Sequence, residues 1–195
     1  MVLRNVAGAL CAAALLIAWP ASRTVAASPP WLSTTSVPVS AEAVDTGACD
    51  GLLNPQEQAL ARLFEKDRDQ RRPVRHCDPI LTRVARARAL DMATRGYFSH
   101  VTPDGNGPNI QVVRAGYALP RFYSSKRKAN NIEVISAGDD TAAEAWSDWL
   151  HSRHHRRQVL GLERFFADQT DYGVGFADRP GSRYGRYWVL ITARH

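Results

Sequence analysis

The side chains able to do chemistry gather in two places. His100 ends the run Tyr97-Phe98-Ser99-His100, just ahead of the turn-forming Pro103-Asp104-Gly105. His151, Ser152, His154 and His155 stand together among Arg153, Arg156 and Arg157. A neutral imidazole can act as a base, a hydrogen-bond partner or a metal ligand. On one continuous helix, positions 151 and 155 share a face, as do 151 and 154. Such a pair fills two places of a zinc shell, and a third ligand must come from elsewhere. Ser152 and His155 also have the spacing of a nucleophile and its base. That chemistry further needs an orienting acid and an oxyanion hole, and the chain has no Gly-x-Ser-x-Gly elbow. Plainer readings compete: His100 hydrogen-bonds its own loop, and 151–157 is a solvated basic helix end facing the C-terminal dipole.

These residues are carried by elements that the sequence punctuates clearly. Asn54-Pro55-Gln56-Glu57 is a capping start, and Leu60, Leu63 and Phe64 continue at helical spacing, which predicts a helix to about Gln70. Asp78-Pro79 opens a second helix with Leu81, Val84, Ala85 and Met92 on one stripe, and Gly96 stops it. Pro108 opens a short helix that Gly116 closes. Asn131 to Ser136 is a strand candidate. Thr141-x-x-Glu144 is a capping box for a helix that places Trp146 and Trp149 in the core. Tyr172–Phe176 and Tyr187–Ala193 form a hairpin around a turn at 178–185. Helices, short strands and a closing hairpin give an α+β class.

The N-terminus bears on where this chemistry happens. Arg4, an uncharged apolar run from Val6 to Trp19, and small residues up to Ala27 make a secretory signal peptide of residues 1–27. The run is too short for the ~20 residues of a spanning helix, and an uncleaved anchor is the alternative. Residues 28–50, rich in Ser, Thr and Pro, read as a flexible arm, and 51–195 as the domain. The whole chain has a net charge of +6 and three cysteines. The leader takes Arg4, Arg23 and Cys11, which leaves +4 and the pair Cys49 and Cys77. After export that pair is expected to be a disulfide. The apolar fraction of 45% excludes a disordered chain, and two cysteines are too few for a disulfide-built scaffold. The basic and aromatic stretch 121–128 allows a nucleic-acid reading. A mobile surface loop, or contact with anionic wall polymer or headgroups, suits an exported protein better.

Several segments, in order, resemble the CAP superfamily of cysteine-rich secretory, antigen-five and pathogenesis-related-one proteins. They are Arg95-Gly96-Tyr97-Phe98-Ser99-His100-Val101-Thr102-Pro103-Asp104-Gly105, Asn130-Asn131-Ile132, Trp149-Leu150-His151-Ser152-Arg153-His154-His155, Tyr172-Gly173-Val174-Gly175-Phe176 and Tyr187-Trp188-Val189. The likeness spans roughly residues 52–195 and is nearest the bacterial branch of secreted SCP-like domains. It implies a three-layer α-β-α sandwich around a small, mostly antiparallel sheet. It also implies a cleft lined by two His and two Glu. Carried over, the histidines fall on His100 and His155, the first Glu on Asn130, and the second near Ser152. Arg88 stands where bacterial relatives often carry a His. Glu133 is not expected to replace the missing carboxylate, because residues 130 and 133 of one strand face opposite sides.

Two histidines without their carboxylates argue against hydrolase chemistry. The expectation is a secreted, non-enzymatic binding module for a lipid, a cell-wall component or a protein partner. No nucleic acid, no membrane-spanning segment in the mature chain and no required cofactor are expected. The alternatives are a metal-assisted hydrolase, with His100 and His155 holding a divalent ion such as zinc, and an envelope interaction domain with a vestigial site.

Overall fold

The computed structural model describes Cys49 and residues 51–195; the expected leader and nearly all of the arm lie outside the described residues. Helix α1 spans Pro55–Lys66, closed at its start by the Asn54/Glu57 capping box. It ends four residues before the expected Gln70. The Asp67 side chain accepts the Asp69 N–H at 2.9 Å and turns the chain, while Gln70 Nε2 bonds the carbonyls of Phe64 and Val159. Strand β1, His76–Cys77, precedes α2, Pro79–Arg95, which is capped by Asp78 and ended by Gly96 at φ 69°. Helix α3 is Pro108–Arg114, and β2 is Glu133–Ala137. Helices α4 (Ala142–His151), α5 (Arg153–Val159) and α6 (Arg164–Ala167) follow, then strands β3 (Asp171–Asp178) and β4 (Arg186–Ala193).

The four strands run in the order β1-β3-β4-β2. β3 with β4 and β4 with β2 pair antiparallel, and only the two-residue β1 is parallel to its neighbour. The hairpin was legible from alternation; β1 was not, because two residues carry no periodicity. Each face of the sheet has its own core. Leu60, Phe64, Trp146, Trp149, Val174 and Trp188 meet on the side of α1 and α4, and Leu81, Ala85, Met92, Val189 and Ile191 on the side of α2. This is the α-β-α arrangement of an α+β fold. Period-two alternation explains the glycines of β3. Tyr172, Val174 and Phe176 belong to one face, and Gly173 and Gly175 are turned to α2. A Cβ on Gly173 would lie 2.2 Å from the Leu81 carbonyl carbon, and one on Gly175 2.2 Å from that of Ala85. The helix therefore rests on bare strand backbone, which sets its distance from the sheet.

Cys49 and Cys77 form the expected disulfide, with Cα atoms 5.6 Å apart. It ties the chain ahead of α1 to β1. A second tie is the buried Arg72, whose guanidinium donates to the carbonyls of Gln158, Val159 and Gln169 and lies 5.1 Å from the Phe64 ring centre. Its charge has no carboxylate partner among the described residues, and burial, then the neighbouring Arg75, lowers its pKa. Carbonyls at the C-terminal end of α5 take that role.

Candidate functional site

The loop after α2 presents His100, and Arg88 holds that loop in place. Arg88 Nη2 donates to the Ser99 carbonyl at 2.7 Å and the His100 carbonyl at 3.2 Å, and Nη1 donates to the Tyr97 hydroxyl at 2.6 Å. The Tyr97 hydroxyl in turn donates to Asp91. Burial and the Asp91 bond raise the Tyr97 pKa, so this hydroxyl stays a donor at any physiological pH.

Arg88 also grips Glu133 with a two-point fork, Nε to Oε2 at 2.9 Å and Nη2 to Oε1 at 3.3 Å. Their side chains are 1% and 0% exposed. Burial works against the Arg88 charge, yet Glu133 outweighs it and raises the Arg88 pKa. Glu133 Oε1 lies 3.0 Å from His100 Nδ1. A carboxylate only accepts, so Nδ1 carries the proton. Nε2 has no hydrogen-bond partner among the described residues. This is the orientation of a histidine by a carboxylate behind it.

The expectation that Glu133 would face away is therefore corrected. Residues 130 and 133 do not share a strand. Asn130 Oδ1 accepts the N–H groups of Ile132 and Glu133 at 3.1 and 2.8 Å, and its Nδ2 donates to the Glu133 carbonyl at 2.9 Å. This side-chain turn delays β2 to Glu133. It also consumes the Asn130 amide, so Asn130 shapes the backbone and is not among the residues lining the cavity.

The second histidine comes from a helix break. Ser152 ends α4 with extended ψ 113° and begins α5, its Oγ accepting the His155 N–H at 3.5 Å. The break cancels the i, i+4 relation read between His151 and His155. His151 Nδ1 instead lies 2.7 Å from the Ser147 carbonyl, and His151 and His154 are exposed. No hydrogen bond joins Ser152 Oγ to an imidazole among the described residues, so the Ser152–His155 dyad is not formed.

His100, Ser152 and His155 line one open cavity of about 570 Å³. Ile135, Ala137 and Trp149 give it apolar walls, Phe98 stands beside His100, and Ser136 and Asp148 add polar groups. Trp149 is fixed by its Nε1 donating to the Ile135 carbonyl at 3.1 Å. His155 has its pKa lowered by burial first, then by His154 and His100. It is neutral at pH 7, and the His100 ring lies within electrostatic reach of it. Sequence reading set Glu133 aside and missed Asp148. A readable signal existed for Asp148, which precedes Ser152 by four residues; none existed for Glu133, since its position depends on the Asn130 turn.

A zinc shell takes at least three protein ligands. Among the described residues no group of three or more His, Cys, Asp or Glu side chains is arranged to hold a metal ion. The two imidazoles alone do not fit a resident zinc, and Glu133 is already engaged by Arg88.

Sheet order, the two helical layers and a His-lined cavity define an SCP-type sandwich. The chain belongs to the CAP, or cysteine-rich secretory protein, family, whose model matches residues 71–191. It is 26% identical over 163 residues to the uncharacterized protein YkwD of Bacillus subtilis (strain 168), covering 82% of this chain and 58% of that one. The chain thus spans a little over half the length of that curated relative. Among solved structures it is similar to an extracellular protein containing an SCP domain from Bacillus anthracis str. Ames, with a TM-score of 0.55 and 21% identity over 73% of this chain and 44% of the other. It is also similar to an outer surface protein of Borrelia burgdorferi, with a TM-score of 0.52 and 15% identity, covering 73% and 97% of the two chains. At these identities the two structures speak for the fold alone.

Proposed function

We propose that this chain is an extracytoplasmic CAP-domain protein that works as a binding module, holding a small ligand in the cavity between His100 and His155 without converting it. The observation that carries this reading is the cavity's build. Its volume is in the range of small-molecule sites, and it sets apolar walls around a few convergent polar groups. The groups that hydrolysis would recruit are engaged elsewhere. Glu133 is buried against Arg88, Ser136 Oγ donates to Asp139, and Ser152 Oγ caps α5. On this reading no cofactor is required. Export is supported by the leader-like residues 1–27, the Cys49–Cys77 bridge and the similarity to an extracellular and an outer surface protein. No helix of the described residues is long and apolar enough to cross a membrane.

The test is a fragment titration followed by amide and imidazole NMR shifts. Saturable shifts at His100, Ile135 and Ser152 are expected for at least one fragment, and their loss in His155→Trp, which fills the cavity. A library that produces no saturable shift at these residues refutes the reading.

A metal-assisted hydrolase has one observation in its favour, the carboxylate behind His100. Metal analysis of the purified protein decides it. That reading requires stoichiometric zinc lost on His100→Ala, and the binding-module reading expects none.

A further inference from the structure

The whole chain carries 25 Lys and Arg against 19 Asp and Glu, yet among the described residues no Lys or Arg lines the cavity. Its lining holds one carboxylate, Asp148 on α4. Asp148 faces Asp139, which follows β2. Burial first raises the Asp139 pKa against the lowering effect of the Ser136 hydroxyl, and Asp148, through its charge and a side-chain hydrogen bond, and then Glu144 raise it further. The charges of Asp139 and Asp148 are not offset by any ion pair among the described residues, although Asp91, Asp104, Asp140, Asp168 and Asp178 all have an arginine. His155 does not supply the missing positive charge, because it is buried enough to stay neutral at pH 7, and the Nδ1–H of His100 is turned to Glu133. Aromatic surface is close by: Phe98 is 42% exposed, and Trp149 forms part of the wall. Positive charge gathers instead in a separate hollow of about 410 Å³, lined by Leu150, His151, Arg153, Arg156, Arg157 and Leu162.

We propose that the His100/His155 cavity selects ligands bearing an ammonium group, seated at Asp148 with an attached apolar body along Phe98, Ile135 and Ala137. This rests on the cavity being a ligand site and names the class of ligand it takes. A cation at Asp148 meets a carboxylate that no ion pair among the described residues offsets, in a cavity that also holds the Phe98 ring, both favourable. An anionic ligand meets an uncompensated carboxylate and no cationic partner. The neutral His155 imidazole accepts a hydrogen bond from an ammonium or hydroxyl donor elsewhere on the ligand. Anionic headgroups and anionic wall polymer are thereby directed away from this cavity.

The experiment titrates the full-length mature protein at pH 7 with four probes and follows amide and imidazole shifts. Phenethylammonium, 2-phenylethanol and 3-phenylpropionate share an apolar body and differ in charge. Nα-acetyl-lysine amide presents the ammonium as a peptide side chain would. The expected order is phenethylammonium at least tenfold tighter than 3-phenylpropionate at His100, Ile135 and Ser152, with the alcohol between. Asp148→Asn, a change at an exposed residue, should weaken the ammonium probe about tenfold and leave the alcohol unchanged. The tighter of the two ammonium probes identifies a free amine or a lysine side chain as the source. Cavity shifts from 3-phenylpropionate at equal or lower concentration overturn the proposal, as does an Asp148→Asn affinity within twofold of wild type. In both of those outcomes the cavity still binds; silence from all four probes counts instead against the cavity reading itself.

Discussion

Replacing Glu133 by Gln tests the arrangement on which the site depends. The change keeps the shape of the side chain and removes its charge. Arg88 is then left with its guanidinium 1% exposed and no carboxylate. Its remaining partners, the carbonyls of Ser99 and His100 and the Tyr97 hydroxyl, are dipoles rather than charges. Removing one member of a buried pair costs about 3–5 kcal/mol, because the other stays buried without its countercharge. For a domain of this size, about 3 °C is lost per kcal/mol, so the melting temperature should fall by roughly 10–15 °C. Urea unfolding followed by circular dichroism measures the loss, with the slope unchanged and the midpoint lowered. The companion is Arg88→Met with Glu133→Leu, which removes both charges. Neutral replacement of a buried pair is tolerated far better than breaking it, so the double variant should recover at least half of the loss. A single variant within about 1 kcal/mol of wild type would refute the reasoning. So would a double variant as unstable as the single one.

Other perturbations read other parts of the structure. Gly175→Ala drives a Cβ to 2.2 Å from the Ala85 carbonyl carbon, and the displaced α2 should cost on the order of 3 kcal/mol in the same urea assay. Reducing the Cys49–Cys77 bridge reopens a loop spanning 28 positions; the loop-entropy estimate is about 3.5 kcal/mol, read as the difference between urea midpoints with and without dithiothreitol. Arg72→Met strands the carbonyls of Gln158, Val159 and Gln169; about 3 kcal/mol should be lost, and amide exchange should quicken first in α5. For His155 the folded pKa lies below the unfolded value, so unfolding takes up a proton in the acid range. Its contribution is complete above about pH 6.5 and is lost as pH falls through the folded value. The imidazole Cε1–H should titrate with a midpoint below that of a free histidine, and a midpoint at or above it contradicts the burial of the ring.

Local chemistry determined a large part of this protein. The Asn54/Glu57 and Thr141/Glu144 capping boxes, the Asp78-Pro79 start, the Gly96 stop and the closing hairpin depend on residues a few positions apart, and each stands where its sequence places it. Trp146 and Trp149 are buried as their spacing requires. The ordered segments that resemble the CAP family implied the sandwich, and His100 and His155 do share a cavity. What failed was reasoning by periodicity where a side chain redirects the backbone. Asn130 bends the chain before β2 and delivers Glu133 to His100, and Ser152 breaks the helix that would have aligned His151 with His155. Both outcomes hang on side-chain to backbone hydrogen bonds that periodicity does not contain.

Tertiary contact decided the rest. Arg88 and Glu133 are 45 positions apart, and their pairing exists only because α2 packs against the sheet near the start of β2. Sequence gave the cavity its histidines. Folding decided that a carboxylate stands behind one of them, that the other is kept neutral by burial, and that among the described residues Asp148 is the one Asp, Glu, Lys or Arg lining the ligand space. Burial and long-range proximity set the strength of a charge, and neither is written at any one position of the chain.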